Sequence, residues 1–407
     1  MFRLPSPAVD ALPAQKTYEQ FFFVQKYAFA TVGIDPTSLK RTICRPLFLA
    51  LPLVAIMTVL GPAFLYAGTC AVDLNEVAKI LTPILQCILA IVKITLFVAQ
   101  RKEIVQLVRK VWYWNLEANI EELKILSEEN RYDQRITGFY YCSVIVSGTM
   151  ATLLPFIIAG FFAWKGQSFW LSLHPPFKGV YLMDIHETYI GFIFAFVWDV
   201  LAIYCAVNAS LAIDSLFSWF MRNIVALYRI LELRFRMTAK SNALNEYTEE
   251  QFKKAIGECV KYHVRVINLT ESFNEVYKNI VFFKFLISCV QIAFIVFQFP
   301  NTKEMATHMM NVSFMISLST QLMLYCHGGQ KIKDMSTSIN STIYECFQWS
   351  DISVNSKKLL LLPMIRSQKP CYFTGIFFVA DLNLFVWVFK SAGSFLTMML
   401  SMYQEDD

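Results

Sequence analysis

The chain alternates between seven long apolar runs and polar stretches. Each run has about 20 or more mainly apolar residues, the length needed to cross roughly 30 Å of hydrocarbon. In lipid, only a helix satisfies its own backbone hydrogen bonds at these lengths. The pattern therefore predicts an all-α membrane protein with seven transmembrane helices. The runs are residues 47–67, 77–100, 136–164, 188–213, 279–299, 307–329 and 372–403.

The composition points to the same class. Of the 407 residues, 56% are hydrophobic and only 16% are charged, and the mean hydropathy is +0.45. Soluble domains average about 45–50% apolar and about 25% charged residues, so a soluble protein of this size would lack the polar side chains to cover its surface. About 44 residues of mixed polarity precede the first run, so we expect no cleavable signal peptide.

Positive charge is concentrated on one side of the predicted spans. Of the 36 Lys and Arg residues, 29 lie in the N-terminal segment and in the 2–3, 4–5 and 6–7 connections, three lie in the other loops, and four lie inside the spans. Because Lys and Arg accumulate in cytoplasmic loops, we predict a cytoplasmic N-terminus and an extracellular C-terminus. Arg366 and Lys369 then hold the entry of the seventh span in the cytosol. This orientation is the reverse of that of G-protein-coupled receptors and excludes them.

The predicted orientation divides the chain into seven segments. The first four are a cytoplasmic N-terminal segment (1–46), spans one to four (47–213), cytoplasmic extensions of spans four and five (214–278) and spans five and six (279–329). The last three are a cytoplasmic anchor of helices (330–371), a pore-lining seventh span (372–403) and an extracellular tail (404–407).

The connection between spans four and five has the pattern of an amphipathic helix. Leu216, Phe220, Ile224, Leu227 and Leu231 recur at spacings of three and four, which places them on one helical stripe. We expect spans four and five to continue as helices below the membrane. Separate surface helices would give the same pattern.

The connection between spans six and seven has a similar stripe. Ile332, Met335, Ile339 and Ile343 share one helical face, and a polar break then leads to the segment KKLLLLPMI. The pattern predicts a helical hairpin packed against the extended fourth and fifth helices. Apolar surface outside the bilayer can bury itself against other subunits by the hydrophobic effect, so we interpret this region as an assembly platform.

Residue types that carry enzymatic chemistry are scattered along the chain. The five histidines have neither HxxxH nor HExxH spacing, the ten cysteines form no CxxC pair, and no Gly-rich phosphate loop is present. We therefore predict no enzymatic activity, no cofactor, no metal ion and no nucleic-acid partner. A transporter of small organic solutes stays open as an alternative. It should contain internal repeats with helices broken at matched positions; Pro52, Pro62, Pro83 and Pro155 interrupt spans, but no repeat is visible.

Three segments near the C-terminus resemble one family. The run YCHGGQKIKDMSTSINSTIYECFQW (325–349) looks like the end of span six and the first cytoplasmic helix of insect odorant receptors. LPMIRSQKP (362–370) is similar to their Arg-x-Gln-Lys-Pro element, and FKSAGSFLTMML (389–400) to their terminal Lys-x-x-x-Ser-Phe segment. The chain departs from the family pattern at Pro363, where members often have an aliphatic residue, and by one extra residue between Glu345 and Trp349.

This resemblance implies a ligand-gated, nonselective cation channel. In the family, an odorant-binding subunit assembles with a shared coreceptor as a heterotetramer, held together by the cytoplasmic anchor around a central pore. We expect a small volatile organic odorant as the ligand, cations as the permeant ions, and a multi-pass location in the lipid bilayer of the plasma membrane of sensory neuron dendrites. The anchor residues implied by position are Tyr344, Trp349, Arg366, Gln368, Lys369 and Pro370.

The final turns of the seventh span have the composition of a pore lining. Met398 and Met402 lie one turn apart on a face with Ser394, and Ser401 is adjacent to Met402. Several copies of this face around an axis would place a hydrophobic constriction beside a polar ring, which gates by dewetting. By family position Met398 and Met402 would close the pore, although packing against neighbouring helices would also explain them. The acidic tail (404–407) would concentrate cations at the mouth, or is a solvated end.

Several charged residues fall inside the predicted spans. Asp199, Asp381 and Lys390 would each cost about 2.5–3.5 kcal/mol in lipid, so we expect them to face protein or water. We expect Lys390 to face a partner helix, because a positive charge would oppose cation flow. Lys93 and Lys284 lie near inner ends of spans, and we expect them to extend to the membrane surface.

The odorant pocket is expected in the outer halves of spans two, three, four and six. Pockets for small volatile molecules are mainly apolar and aromatic, and aromatic walls favour a small planar or heteroaromatic odorant. Helical spacing places each candidate set on one face, which core packing would explain equally well. The candidates are Leu81, Leu85 and Ile88 on span two, Thr152 and Phe156 on span three, Tyr189, Phe192 and Phe196 on span four, and Met310, Ser313, Phe314 and Ser317 on span six.

Overall fold

The structure, a computed structural model, describes residues 23–37, 45–70, 74–166, 168–180 and 189–405. Much of the predicted N-terminal segment and the last two residues of the tail lie outside the described residues. Nearly all of the described chain is helical. The helices are α1 Phe23–Val32, α2 Arg45–Thr69, α3 Leu74–Ala99, α4 Arg101–Leu116, α5 Ile120–Trp164, α6 Phe169–Ser172, α7 Tyr189–Ala243, α8 Glu249–Asn301, α9 Met305–Cys346, α10 Val354–Ser367 and α11 Leu382–Glu405.

Six of the described helices are long and apolar enough to cross a membrane. These are α2, α3, α5, α7, α8 and α9, and they contain the first six predicted runs. The seventh run lies on α11, whose apolar part, Leu382–Met398, is shorter than the others. The predicted class, an all-α membrane protein, is confirmed.

The helix of the seventh predicted span, α11, begins later than the sequence predicted. Hydropathy placed its start at Tyr372, whereas α11 begins at Leu382. The residues between them form a tight loop, in which the Gly375 N–H donates to the Phe378 carbonyl at 2.9 Å. The Phe378 ring covers Gly375 so closely that a side chain at this position would require the ring to move. The Asp381 carboxylate then accepts a hydrogen bond at 3.1 Å from a backbone N–H of the first turn of α11, as an N-terminal capping residue does.

Helices α5, α7 and α8 continue far beyond their apolar runs. α7 has 55 residues and α8 has 53, so each is roughly 80 Å long at about 1.5 Å per residue. The amphipathic extensions are therefore continuous with the fourth and fifth runs and are not separate surface helices. α5 begins at Ile120, well before its apolar run, with a capping box formed by Asn119 and Glu122. Hydropathy missed this extension because its turns are rich in charged residues.

The main core surrounds the middle of α7. Every residue from Ala209 to Tyr228 is buried, so the helix is enclosed on all sides and not only along the predicted stripe. Phe217 stacks on Tyr325 with ring centroids 4.1 Å apart and contacts Phe373 at 5.0 Å. Because α5, α8 and α9 all pack against it, α7 is the central helix of the molecule.

The sixth apolar run continues into the first arm of a helical hairpin formed by α9 and α10. On α9, Ile332, Ile339 and Ile343 are buried and Met335 is half-buried. The Ser353 hydroxyl accepts a hydrogen bond at 3.3 Å from a backbone N–H in the first turn of α10. α10 packs against both α9 and α8, so the hairpin lies against the extended fifth helix.

Candidate functional site

Aromatic side chains gather at the end of the bundle where α5 ends and α7 begins. The predicted orientation makes this the outer end. Phe156 on α5 meets Phe196 on α7 with ring centroids 4.8 Å apart, and Phe196 lies 6.1 Å from Phe192. Trp170 on α6 contacts Tyr189 at 4.3 Å and Phe192 at 4.8 Å. We call these five residues the aromatic cluster.

The aromatic cluster brings together four residues that the sequence predicted for the odorant pocket. Phe192 is almost fully buried at its centre, while Phe156 is partly exposed. Edge-to-face and offset ring pairs at these distances are favourable arrangements for aromatic side chains. Trp170 was missed, because it lies in the connection between two apolar runs, outside the predicted spans. Its position in an aromatic FW pair was the only available signal.

The other predicted pocket residues pack elsewhere. Leu81 and Ile88 on α3 pack beside a cluster shared with α2 and α7, and Phe314 on α9 packs against the main core. The hydroxyls of Thr152 and Ser313 donate to carbonyls of their own helices at 2.9 Å. The predicted faces on spans two, four and six therefore belong to three different clusters of buried residues. The remaining candidates, Leu85 and Met310, are half-buried, and Ser317 is buried.

A cavity of about 160 Å³ lies near the aromatic cluster, between α2, α7 and the connection that precedes α7. Its lining includes Pro62, Phe177, Phe194 and Trp198. The Trp198 indole N–H donates to Thr58 Oγ1 at 2.9 Å across it. The sequence did not predict this cavity, because its walls come from helices that are far apart along the chain.

Ion pairs tie together the connections at the same end of the bundle. Glu76, in the first turn of α3, lies 2.8 Å from Lys79 and 2.9 Å from Lys178 of the 3–4 connection. Lys79 also lies 3.6 Å from Glu304, just before α9. These pairs fix the two connections over the start of α3.

A buried polar hub lies deeper in the bundle, centred on Asp214 of α7. Lys93 Nζ of α3 lies 2.7 Å from Asp214 Oδ1. The hydroxyls of Tyr140 on α5 and Tyr325 on α9 donate to the same carboxylate at 2.8 and 2.6 Å. Gln321 of α9 also donates to it. One carboxylate therefore joins four helices.

The hub corrects two expectations. Lys93 and Lys284 were predicted to extend to the membrane surface, but both are completely buried. Lys93 is paired with Asp214, and Lys284 donates to the side-chain carbonyl of Gln321. A buried charge is stable only when it is paired and hydrogen-bonded, and these partners become adjacent only when the helices pack.

Helix α11 leaves the predicted pore residues on an open face. It packs against α8 and α9 through residues such as Val388 and Ala392. Ser394 and Ser401 are exposed, and Met398 is 52% exposed. Met402 lies on the same helix, but its side chain is outside the described part of the structure.

The predicted anchor residues lie at the turn of the hairpin, with Tyr344 at the end of α9 and Trp349 in the connection to α10, and at the C-terminal end of α10. Tyr344 is 67% exposed, and its carbonyl accepts a hydrogen bond at 3.0 Å from the indole N–H of Trp349. Arg366 donates to the Lys369 carbonyl at 3.0 Å and lies 3.5 Å from Glu271 of α8. Gln368 and Lys369 are exposed and Pro370 is half-buried.

Buried His263 on the extended part of α8 has Arg366 of the anchor as an electrostatic neighbour. Burial and the positive charge of Arg366 lower the pKa of His263 to about 4. Its imidazole is therefore neutral at physiological pH. His263 precedes the fifth apolar run by more than four helical turns, so it lies outside the predicted membrane span.

Comparison with known proteins decides the family. A model described as 7tm Odorant receptor matches residues 73–393, which include the membrane-length helices α3, α5, α7, α8 and α9 and the hairpin. The chain belongs to the 7tm odorant receptor family. The resemblance carried by residues 325–400 is thereby confirmed.

The receptor has relatives and a structural counterpart over nearly its whole length. It is 25% identical to Odorant receptor 45a of Drosophila melanogaster over 391 residues, covering 93% of this chain and 98% of that one. It is 27% identical to Odorant receptor 9a of the same species over 394 residues, covering 95% and 97%. The fold matches the olfactory receptor OR5 of Machilis hrabei in complex with eugenol, with a TM-score of 0.76 and 14% identity over 97% of this chain and 100% of that one.

Family membership settles the function class. The protein is an insect odorant receptor, which is a receptor and not an enzyme, as the sequence predicted. A transporter is not favoured, since the relatives named above are odorant receptors.

Proposed function

We propose that this receptor is the odorant-binding subunit of a ligand-gated, nonselective cation channel. A small volatile organic odorant binds in the outer half of the bundle and opens a central pore lined by α11. The receptor assembles with the shared coreceptor as a heterotetramer in the plasma membrane of sensory neuron dendrites. The single observation that carries the proposal is the open face of α11, which has polar residues along its length and no cover from the rest of the described chain.

The pore is supported by how α11 is packed. Its apolar side contacts α8 and α9, while Ser394, Thr397, Met398 and Ser401 are exposed. An open face of this kind is completed by other subunits around an axis. Met398 and Met402 then form the hydrophobic constriction, with Ser394 and Ser401 as the polar ring beside it, and closure occurs by dewetting.

Assembly is supported by the surface of α10. Val354, Leu361, Leu362 and Ile365 are all exposed, and their spacing places them on one side of the helix. Tyr344 adds an exposed aromatic at the other end of the hairpin. Contiguous exposed apolar surface marks a protein interface. We assign this surface, bordered by Arg366, Gln368, Lys369 and Pro370, to the coreceptor contact.

Odorant binding is supported by the aromatic cluster. Phe156, Phe192 and Phe196 come from two different spans, and Trp170 closes the group from the connection between them. A planar ligand that inserts among these rings gains apolar burial and ring stacking together. The candidate faces on α3 and α9 pack in other clusters, so the pocket proposed here is limited to the aromatic cluster.

The test is to record currents evoked by a panel of volatiles in cells that express the receptor with and without the coreceptor. The proposal expects odorant-evoked unitary cation currents that require both chains and persist when G-protein signalling is blocked. A response that disappears with G-protein blockade contradicts it. Substrate flux without unitary openings would establish a transporter instead.

A further inference from the structure

The exposed residues of α11 form a single arc with an internal order. Placed at about 100° per residue, the exposed positions cover an arc of about 160°. Its central part, about 60° wide on the same helical wheel, contains only polar residues, and its edges are apolar. The central residues are Asn383, Lys390, Ser394, Thr397 and Ser401, and the edges are Leu382, Val386 and Gly393 on one side and Trp387 and Met398 on the other.

This arrangement of polar and apolar residues is the one expected of a helix that lines a water-filled path. A lipid-facing side of a membrane helix is apolar, because lipid offers polar groups no partner. Here the side that packs inside the chain is the apolar one, with Leu384, Phe385, Val388, Phe389 and Ala392. The polar centre is therefore suited to water, and the apolar edges, apart from the proposed gate residue Met398, are suited to neighbouring helices.

Lys390 is the one charged residue at the centre of this arc. It lies eight residues beyond Leu382, the first residue of α11, which is about 12 Å along the helix. Other Lys residues within the spans have partners inside the chain: Lys93 and Lys79 form ion pairs with Asp214 and Glu76, and Lys284 donates to Gln321. No ion pair of Lys390 occurs among the described residues.

We propose that Lys390 faces the ion pathway and acts as a charge filter that disfavours divalent cations relative to monovalent ones. The inference rests on the proposed function, and it replaces our expectation from the sequence that Lys390 faces a partner helix. A fixed positive charge repels a divalent cation twice as strongly as a monovalent one. At a water-like dielectric and a separation of about 7 Å, removing one such charge raises the ratio of divalent to monovalent permeability about threefold.

The experiment measures reversal potentials of odorant-evoked currents in external Na⁺ and in external Ca²⁺, for the receptor co-expressed with its coreceptor. Lys390→Gln is expected to raise the Ca²⁺/Na⁺ permeability ratio about threefold, Lys390→Glu further, and Lys390→Arg to leave it unchanged. Lys303→Gln removes the same charge from an exposed position in the 5–6 connection and should have no effect.

Lys390→Cys supplies a second readout in channels that are already assembled. A thiol reagent that adds an ammonium should restore the low Ca²⁺/Na⁺ ratio, and one that adds a sulfonate should raise it further, while the native chain treated in parallel stays unchanged. If the Ca²⁺/Na⁺ permeability ratio is the same in Lys390→Gln, in Lys390→Glu and after both reagents, Lys390 does not act as a charge filter. An absence of odorant-evoked current in the native receptor is a different result, which overturns the proposed function itself.

Discussion

Lys93 and Asp214 form an ion pair in the interior of the bundle, with Lys93 Nζ 2.7 Å from Asp214 Oδ1 and both side chains completely buried. The two residues are 121 positions apart in the sequence, so their contact fastens α3 to α7. Along α7, Asp214 lies between the aromatic cluster and the apolar stripe that begins at Leu216. The pair thus holds the helices together at the level between the proposed odorant pocket and the anchor.

Asp214→Asn should destabilise the receptor strongly. It leaves the Lys93 ammonium buried without a countercharge, which lowers the free energy of unfolding by about 3–5 kcal/mol. The measurement is the thermal unfolding of detergent-solubilised receptor. Lys261→Met serves as a control, because its side chain is 74% exposed and a surface pair contributes about 0–1 kcal/mol.

The double variant Lys93→Met/Asp214→Asn shows whether the stability lost in Asp214→Asn comes from the unpaired Lys93 charge or from altered packing. It removes both charges, so much of the stability lost in Asp214→Asn should return. If Asp214→Asn unfolds at the same temperature as the native receptor, the ion pair is not a major source of stability.

Features set by neighbouring residues could be predicted from the sequence, and features set by distant ones could not. The stripe from Leu216 to Leu231 predicted the α7 extension, because helical periodicity is local. The Lys93–Asp214 pair could not be predicted, because either charge alone fits the end of an apolar run. The start of α11 was misplaced because hydropathy does not distinguish an apolar loop around Gly375 from an apolar helix. In the candidate pocket, Phe192 and Phe196 could be predicted from their spacing, whereas Trp170 could not.

Replacing the proposed gate residues should make the pore leak. Met398→Ala and Met402→Ala each shorten the hydrophobic constriction, which lets water enter the closed pore more readily. We expect a larger basal current or a changed ion permeability, measured without odorant in cells that also express the coreceptor. Met305→Ala is a suitable control, because Met305 is exposed at the start of α9. Unchanged basal current and permeability in both gate variants would show that the gate lies elsewhere.

Replacing aromatic rings in the cluster should weaken odorant responses. Phe196→Leu keeps most of the apolar volume but removes the ring that pairs with Phe156 and Phe192. Aromatic pairs contribute about 0.5–1.5 kcal/mol beyond burial, so the half-maximal odorant concentration should rise about two- to tenfold. Phe192→Ala should shift it further, with co-purification of the coreceptor unchanged. Phe161→Leu, at an exposed position on α5, is the control, and equal shifts in the control and cluster variants would contradict the assignment.

Receptor stability should fall in mild acid partly through His263. Its pKa of about 4 in the folded chain lies below the ordinary value of 6.5, so the unfolded chain binds more protons between these two pH values. The His263 contribution is fully present above pH 6.5 and is lost as the pH falls toward 4. His263→Gln cannot titrate, so its thermal unfolding should depend less on pH over this window. Parallel pH curves for the two proteins would show that His263 does not titrate as proposed.

The exposed apolar side of α10 should be required for assembly. Leu362→Ser/Ile365→Ser removes two large apolar side chains that are more than half exposed in this chain. Burial of such side chains at an interface contributes about 1.5–3 kcal/mol each, so the double variant should lose most of its co-purification with the coreceptor. Its own thermal unfolding should change little, because these residues are outside the core of the chain.

The matched control is Ile120→Ser/Val264→Ser, which removes two exposed apolar side chains from α5 and α8. This pair should leave co-purification unchanged if the α10 surface is the specific contact. Equal loss of partner in both double variants would mean that assembly depends on general apolar surface. Retention of the partner by Leu362→Ser/Ile365→Ser would place the interface on another face, because two serines cannot replace the burial that an apolar contact requires.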